Sequence, residues 1–166
     1  MTEDVVRALG YLCLGTRLKR LGERFQSETD AIISAHGLSV SASQYPCLAS
    51  LDRLGPLTVG ELAQALGVSQ PGATRSINLL TRQGLVEAAP AEGDQRRKIV
   101  RLTAEGRRVV EIGKGELWTQ VAAAVAEICE GLDGPLLSQL AAIEDALAEA
   151  PLSRRRKPAE KDAKLP

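Results

Sequence analysis

The sequence predicts a mainly α-helical chain with one small β-hairpin. Hydrophobic residues make up 44% of its 166 residues and are mostly Leu, Ala, Val and Ile, whereas aromatics are only 2%, a balance that favours helices over a β-sandwich. Apolar side chains recur at helical spacing along most of the chain. Two short strand-like runs, Leu85–Ala89 and Lys98–Leu102, lie either side of a polar, glycine-containing turn, the pattern of a hairpin.

The first helix is expected from about Asp4 to Ile33, because Leu14, Leu18, Leu21 and Phe25 share one face at steps of four, three and four. His36-Gly37 ends it, glycine suiting a left-handed C-terminal cap. Ser41 or Ser43 caps a second helix that reaches Leu54 and stops at Gly55-Pro56. After residue 103, Leu117, Val121, Val125, Ile128 and Leu132 form another stripe, which Asp133-Gly134-Pro135 breaks. Leu136, Leu140, Ile143 and Leu147 mark a last helix, ended by Pro151. The tail from Ser153, with Arg154-Arg155-Arg156-Lys157, reads as disordered and basic. The long outer helices must bury their stripes, on each other within one chain or across a two-fold axis between chains. A compact centre with long amphipathic arms favours the second arrangement.

The segment from Thr58 to Thr103 carries the functional signal. Thr58 is placed as the N-cap of a short helix to Leu66, with Glu61 at the capping-box position. Gly67-Val68-Ser69 follows: the glycine permits a tight reversal, Val68 plugs the angle between helices, and Ser69 caps the next helix. That helix opens Gln70-Pro71, where proline is tolerated because first-turn amides have no helical partner. Ala73, Ile77 and Leu80 line its buried face, which leaves Gln70, Thr74, Arg75 and Asn78 facing outward. Such side chains suit base edges: Gln or Asn addresses adenine, Arg guanine, and Thr a thymine methyl. Free amides at the helix start, beside Ser69, suit a phosphate. The bland reading of the same spacing is a helical hairpin inside an ordinary bundle.

The hairpin that follows turns through Pro90-Ala-Glu-Gly-Asp-Gln-Arg-Arg97. Two strands around a basic tip directly after such a helix make a wing, with Asp94 spaced to hold Arg96 extended toward a minor groove. Arg97 and Lys98 are expected phosphate contacts. A solvated hairpin with an incidental ion pair is the bland alternative. The fold class that results is mainly α with a small β-wing: a winged helix-turn-helix lobe flanked by N- and C-terminal dimerisation helices. Residues 1–40 form the N-terminal dimerisation helix and its loop, 41–103 the DNA-binding domain, 104–150 the C-terminal dimerisation helices and 151–166 the tail.

Leu57-Thr-Val-Gly-Glu-Leu-Ala-Gln-Ala-Leu-Gly-Val-Ser69, Gly84-Leu-Val, Asp94-Gln-Arg96 and Val100-Arg-Leu-Thr103 followed by Gly106 together resemble the MarR family of winged helix-turn-helix transcriptional regulators. Motif-level agreement is confined to Leu57–Gly106, and the helix layout agrees from about Leu12 to Ala148. The resemblance implies a homodimer with two winged lobes and interlocked terminal helices. It implies a repressor, less often an activator, on a palindromic operator in duplex DNA, released by a small, often aromatic or phenolic, effector or by oxidation. It assigns Ser69, Gln70, Thr74, Arg75 and Asn78 to the recognition helix, and Asp94, Arg96, Arg97 and Lys98 to the wing. Pro71-Gly72 departs from the family's more usual polar residues and leaves fewer side chains for base readout.

Tyr11, Arg17, His36, Tyr45 and Trp118 are the effector-site candidates, each also explicable as packing and His36 as a helix-end cap. Cys13, within Tyr11-Leu-Cys-Leu-Gly-Thr-Arg17, loosely resembles the family's peroxide-sensing branch. The aromatic expected after the cysteine is replaced by Leu14, so a buried, inert thiol is the preferred reading.

Composition bounds the rest. Net charge is zero, with 21 basic and 21 acidic residues, so a DNA-binding surface must be local. No stretch of about 18 apolar residues could span a membrane, and the N-terminus lacks a signal-peptide pattern, which reads as cytoplasmic. Cys13, Cys47 and Cys129 show no metal or disulfide spacing, and His36 is the single histidine. No metal or cofactor is expected, and no catalytic motif argues for an enzyme. Two alternatives stay open: a redox-sensing regulator acting through Cys13, and a winged-helix interaction module without DNA binding.

Overall fold

The computed structural model of the chain describes residues 2–91 and 94–129, with Gly134, Pro135, Gln139, Leu140 and Glu149 beyond them. The expected stripe position Leu132, the last helix apart from Leu140, and the basic tail lie outside the described residues. The chain divides into two compact units: Met1–Leu21 with Ala123–Pro166, and Gly22–Ala122.

In the first unit the N-terminal helix is shorter than its spacing suggests. Helix α1 covers only Val5–Ala8, and a 3-10 turn follows over Gly10–Cys13 before α2, Leu14–Ala35, begins. The break falls at Gly10, whose φ of 54° is a left-handed conformation outside any right-handed helix. Asp4 caps α1 by accepting from the Arg7 amide at 3.1 Å. It also holds Arg20 through two hydrogen bonds of 3.1 and 2.8 Å. The Arg20 guanidinium keeps this exposed carboxyl below the usual carboxylate range. Cys13 is half-buried in the 3-10 turn, not the core thiol expected. The buried cysteine is Cys47, on α3.

The Gly22–Ala122 unit holds the core. After the C-terminal part of α2 come α3 (Tyr45–Leu54), β1 (Leu57–Thr58), α4 (Val59–Leu66), α5 (Gln70–Arg82), β2 (Val86–Ala91), β3 (Asp94–Leu102) and α6 (Ala104–Ile112). A π-helical turn, Gly113–Leu117, then leads into α7, Trp118–Cys129. Leu48 and Leu51 from α3, Leu62 from α4, Ile77 and Leu80 from α5 and Val86 and Val100 from the sheet meet in one cluster with Val110 and Leu117. Each such side chain contributes about 1.5–3 kcal/mol through removal from water.

Several boundaries differ from the sequence reading. Gln44, not Ser41 or Ser43, stands at the N-cap of α3. Its side-chain oxygen instead accepts from the amide and hydroxyl of Ser41, closing the turn before the helix. His36 donates from Nδ1 to the Ile32 carbonyl at 3.0 Å, and Gly37 follows with φ 71°, so the expected end of α2 holds. The sheet is antiparallel with order β1-β3-β2. Its strand β1 was not anticipated, since two residues carry no periodicity. The strands of the wing also run further than expected: Pro90 pairs with Lys98 within β2, and the register shifts only after it, where Ala91 faces Asp94. Because β2 is an edge strand, a residue without an N–H is tolerated there.

Candidate nucleic-acid interface

The local chemistry of Thr58–Arg82 builds a helix-turn-helix. Thr58 accepts from the Glu61 amide while Glu61 accepts from the Thr58 amide at 2.8 Å, a complete capping box. Gly67, at φ 63°, closes α4, and Val68 donates its amide to the Ala63 carbonyl at 3.0 Å. The Val68 side chain is 48% exposed, so it does not plug the interhelical angle as expected. Buried Leu62, Ala63, Ala73 and Ile77 fill that angle instead. Ser69 caps α5 by accepting from the Gly72 amide. Ala73, Ile77 and Leu80 bury one face of α5, as their spacing predicts.

The opposite face of α5 is open. Ser69, Gln70, Thr74, Arg75 and Asn78 are all exposed. Thr74 donates its hydroxyl hydrogen to the Gln70 carbonyl at 2.9 Å, so what it has left to offer is a methyl and an acceptor. Arg75 and Asn78 make no side-chain hydrogen bond or ion pair among the described residues. The Gln70 amide lies 3.4 Å from where a Gly60 side chain would begin, so it leans on α4.

The wing places Asp94, Arg96, Arg97 and Lys98 on β3. Lys98 is exposed. The side chains of Asp94, Arg96 and Arg97 lie outside the described residues, and with them the expected Asp94–Arg96 pair. Closer to the base, Glu87 stands opposite Arg101 and their side chains meet at 2.8 Å, so this acid is compensated within the wing. Thr103 locks the wing to the body. It donates to the Gly84 carbonyl, its amide donates to the Leu85 carbonyl, and its hydroxyl accepts from the Gly106 amide to cap α6. The closing Leu-Thr-x-x-Gly pattern is thus one hinge with a hydrogen bond at each turn.

The five effector-site candidates separate. Tyr45 and Trp118 meet edge to face, with ring centroids 6.3 Å apart, and both line a cavity of about 220 Å³ inside the Gly22–Ala122 unit. Ile33, Ala42, Leu117 and Val121 supply most of its remaining wall, with Thr29 and Ala122 completing it. Spacing marked Leu117 and Val121 as apolar stripe positions but not as cavity wall. His36 does not line the cavity and serves the end of α2. Tyr11, 94% exposed, and Arg17 belong to the other unit. Among the described residues no group of His, Cys, Asp and Glu could hold a metal ion, and no helix is long and apolar enough to cross a membrane.

Comparison with known proteins points to one family. The model described as "MarR family" matches residues 36–97. The chain is 23% identical over 131 residues to the HTH-type transcriptional regulator PapX of Escherichia coli, covering 75% of this chain and 80% of that one. It is 32% identical over 74 residues to the multiple antibiotic resistance protein MarR of Salmonella typhimurium, covering 45% of this chain and 51% of the relative, about half its length. Among solved structures, BpsR of Bordetella bronchiseptica, whose DNA binding is regulated by 6-hydroxynicotinic acid, superposes with a TM-score of 0.64 at 20% identity. That likeness covers 82% of this chain and 94% of BpsR, and it concerns the fold.

The chain is similar to MarR-family regulators. The relatives it matches are transcriptional regulators. The family match ends at Arg97, so it takes in α3–α5 and the wing through Asp94-Gln-Arg96.

Proposed function

We propose that this chain is a cytoplasmic repressor that binds a palindromic operator as a homodimer and is released by a small-molecule effector. The observation that carries it is the open face of α5, where Gln70, Thr74, Arg75 and Asn78 are presented on a helix whose other face is fixed in the core. In this reading Arg75 addresses guanine, Gln70 and Asn78 address adenine, and the Thr74 methyl meets thymine. Ser69 and the first amides of α5 receive a phosphate. Arg96 enters the minor groove with Asp94 holding its direction, while Arg97 and Lys98 meet the backbone. The Glu87–Arg101 pair neutralises an acid near the wing, which favours DNA binding over a bare interaction module. The cavity at Tyr45 and Trp118 is the effector site in this scheme. Cys13 makes no side-chain hydrogen bond or ion pair among the described residues, so nothing there favours the redox alternative.

The test is anisotropy on DNA from upstream of the chain's own gene and on random DNA, at two salt concentrations. Arg75→Ala costs about 1–3 kcal/mol on the specific site and relaxes sequence choice. Arg96→Ala weakens binding to all sequences and lowers the salt slope by about one. Asp94→Ala also weakens binding although it removes a negative charge, because Arg96 loses its direction. Tighter binding by Asp94→Ala together with a neutral Arg96→Ala would sink the wing assignment.

A further inference from the structure

Gly60 stands in the first turn of α4, two residues after the Thr58 cap. Glycine is the least favoured helix residue after proline, because it gives up the most backbone freedom there. Gly67, which closes the same helix, needs its left-handed φ of 63°, whereas the φ of Gly60 is not positive and suits any residue. No core packing excludes a side chain from Gly60 either. Apart from its chain neighbours and its own helix backbone, a β-carbon there would meet one atom within 4 Å among the described residues. That atom is the Gln70 side-chain nitrogen, at 3.4 Å. Gln70 opens α5, so its side chain lies back along α4, over the space that a larger residue at position 60 would fill. Gln70 is exposed and its carboxamide makes no hydrogen bond or ion pair among the described residues, which leaves its donors and acceptor open. A glutamine on a featureless surface samples many rotamers, and binding through it must first freeze them. A seat on α4 narrows that choice before DNA arrives.

We propose that Gly60 is a positioning residue for base readout: lacking a side chain, it seats the Gln70 carboxamide against α4 and so sets the base pair that Gln70 reads in each half-site. The inference deepens the reading of α5 as a recognition helix and rests on it. Arg75 and Asn78 stand more than a turn further along α5, so a change at position 60 reaches readout by Gln70 and not theirs. Space decides which substitutions are felt. A β-carbon 3.4 Å from the carboxamide is in ordinary van der Waals contact, so Gly60→Ala leaves Gln70 seated. Gly60→Val puts two methyls on that β-carbon, which take the volume the carboxamide fills and turn it out.

The full-length protein is tested by fluorescence anisotropy on the operator that footprinting defines upstream of its own gene, with each base pair of a half-site changed in turn. In the wild type and in Gly60→Ala, changing the base pair read by Gln70 weakens binding about tenfold, and Gln70→Ala abolishes that discrimination. Gly60→Val loses most of the same discrimination and keeps it at every other base pair. It binds random DNA within about twofold of the wild type, since that affinity comes from phosphate contacts. It melts no lower than the wild type, because valine is no worse than glycine inside a helix. In the Gln70→Ala background Gly60→Val has no further effect, the mark of a residue that acts through Gln70. Full discrimination by Gly60→Val, where Gln70→Ala loses it, would overturn the role of Gly60 and leave the recognition-helix reading standing. A Gly60→Val defect that persists without Gln70 would set position 60 itself against the duplex and overturn the positioning role. Unchanged discrimination by Gln70→Ala at every base pair, or no specific operator binding by the wild type, would overturn this inference together with the reading beneath it.

Discussion

A β-carbon at Gly106 would run into the Leu85 carbonyl oxygen and crowd a Leu102 methyl at 3.3 Å. Neither backbone nor packed core gives way easily, so Gly106→Ala is expected to cost about 2–3 kcal/mol, read as a fall in the urea midpoint at unchanged slope. At Gly113 a β-carbon would lie 2.5 Å from the Trp118 indole nitrogen and 3.1 Å from the Tyr45 ring. Gly113→Ala therefore shifts Trp118 emission as well as lowering stability, whereas Gly106→Ala lowers stability and leaves the emission of the folded protein in place. Cys47 offers a pH test: it is 1% exposed, and burial pushes its thiol from 9.0 to about 11. The unfolded thiol ionises first, so the folded state binds the extra proton and stability falls as pH rises from about 9 to about 11. A Cys47→Ala variant lacks that component, so its stability deficit against the wild type narrows across the same window. At this scale the sequence was a good guide at two helix starts, although it missed the Gln44–Ser41 bonds that also span three residues. The caps at Thr58 and Ser69 were legible because a hydroxyl beside a helix start can reach little else. The neighbours that Gly106, Gly113 and Gln44 meet on other elements left no local trace.

Between elements, the least expected connection joins Gln44 to Gln83. Gln44, 3% exposed, donates to the Gln83 side-chain oxygen at 2.8 Å, tying the start of α3 to the residue that ends α5. Asp30 on α2 accepts from the Ala42 amide at 2.6 Å and pins the same turn from the other side. Removing Gln83 leaves the buried Gln44 amide without its partner, which makes that loss larger than one surface hydrogen bond. A double-mutant cycle of Gln44→Ala and Gln83→Ala is expected to give a coupling of about 1 kcal/mol by chemical denaturation, and strict additivity would show the bond to be incidental. Amphipathic helices of several turns were legible at this scale because their burial repeats. The exceptions have physical reasons. Gly10 breaks the first helix in a conformation its apolar stripe does not register, β1 is too short to alternate, and Pro90 stays in a strand because that strand is an edge. The π turn at Gly113–Leu117 inserts itself into a helix without altering the residue types that form it.

At the scale of the whole molecule, one chain leaves apolar side chains uncovered. Leu18 and Leu21 of the first stripe are exposed, as are Val5, Leu12 and Ile128. They belong to the unit formed by the chain's two ends, and a second copy is the partner we propose for them. Light scattering of the full chain is expected to return about twice 17.7 kDa. Leu18→Lys with Leu21→Lys shifts it toward the monomer and weakens operator binding, while the winged lobe keeps its helical signal. The zero net charge made DNA binding hard to read from composition, because the surface proposed for it is one helix face and one hairpin. The most direct test of this account is a footprint of the unmodified protein on the DNA upstream of its own gene. Two α5 helices related by a two-fold predict two symmetric protected half-sites, an inverted repeat with centres about 10 base pairs apart on one face of the duplex. A single unsymmetrical half-site, or uniform protection no stronger than on random DNA, would contradict it.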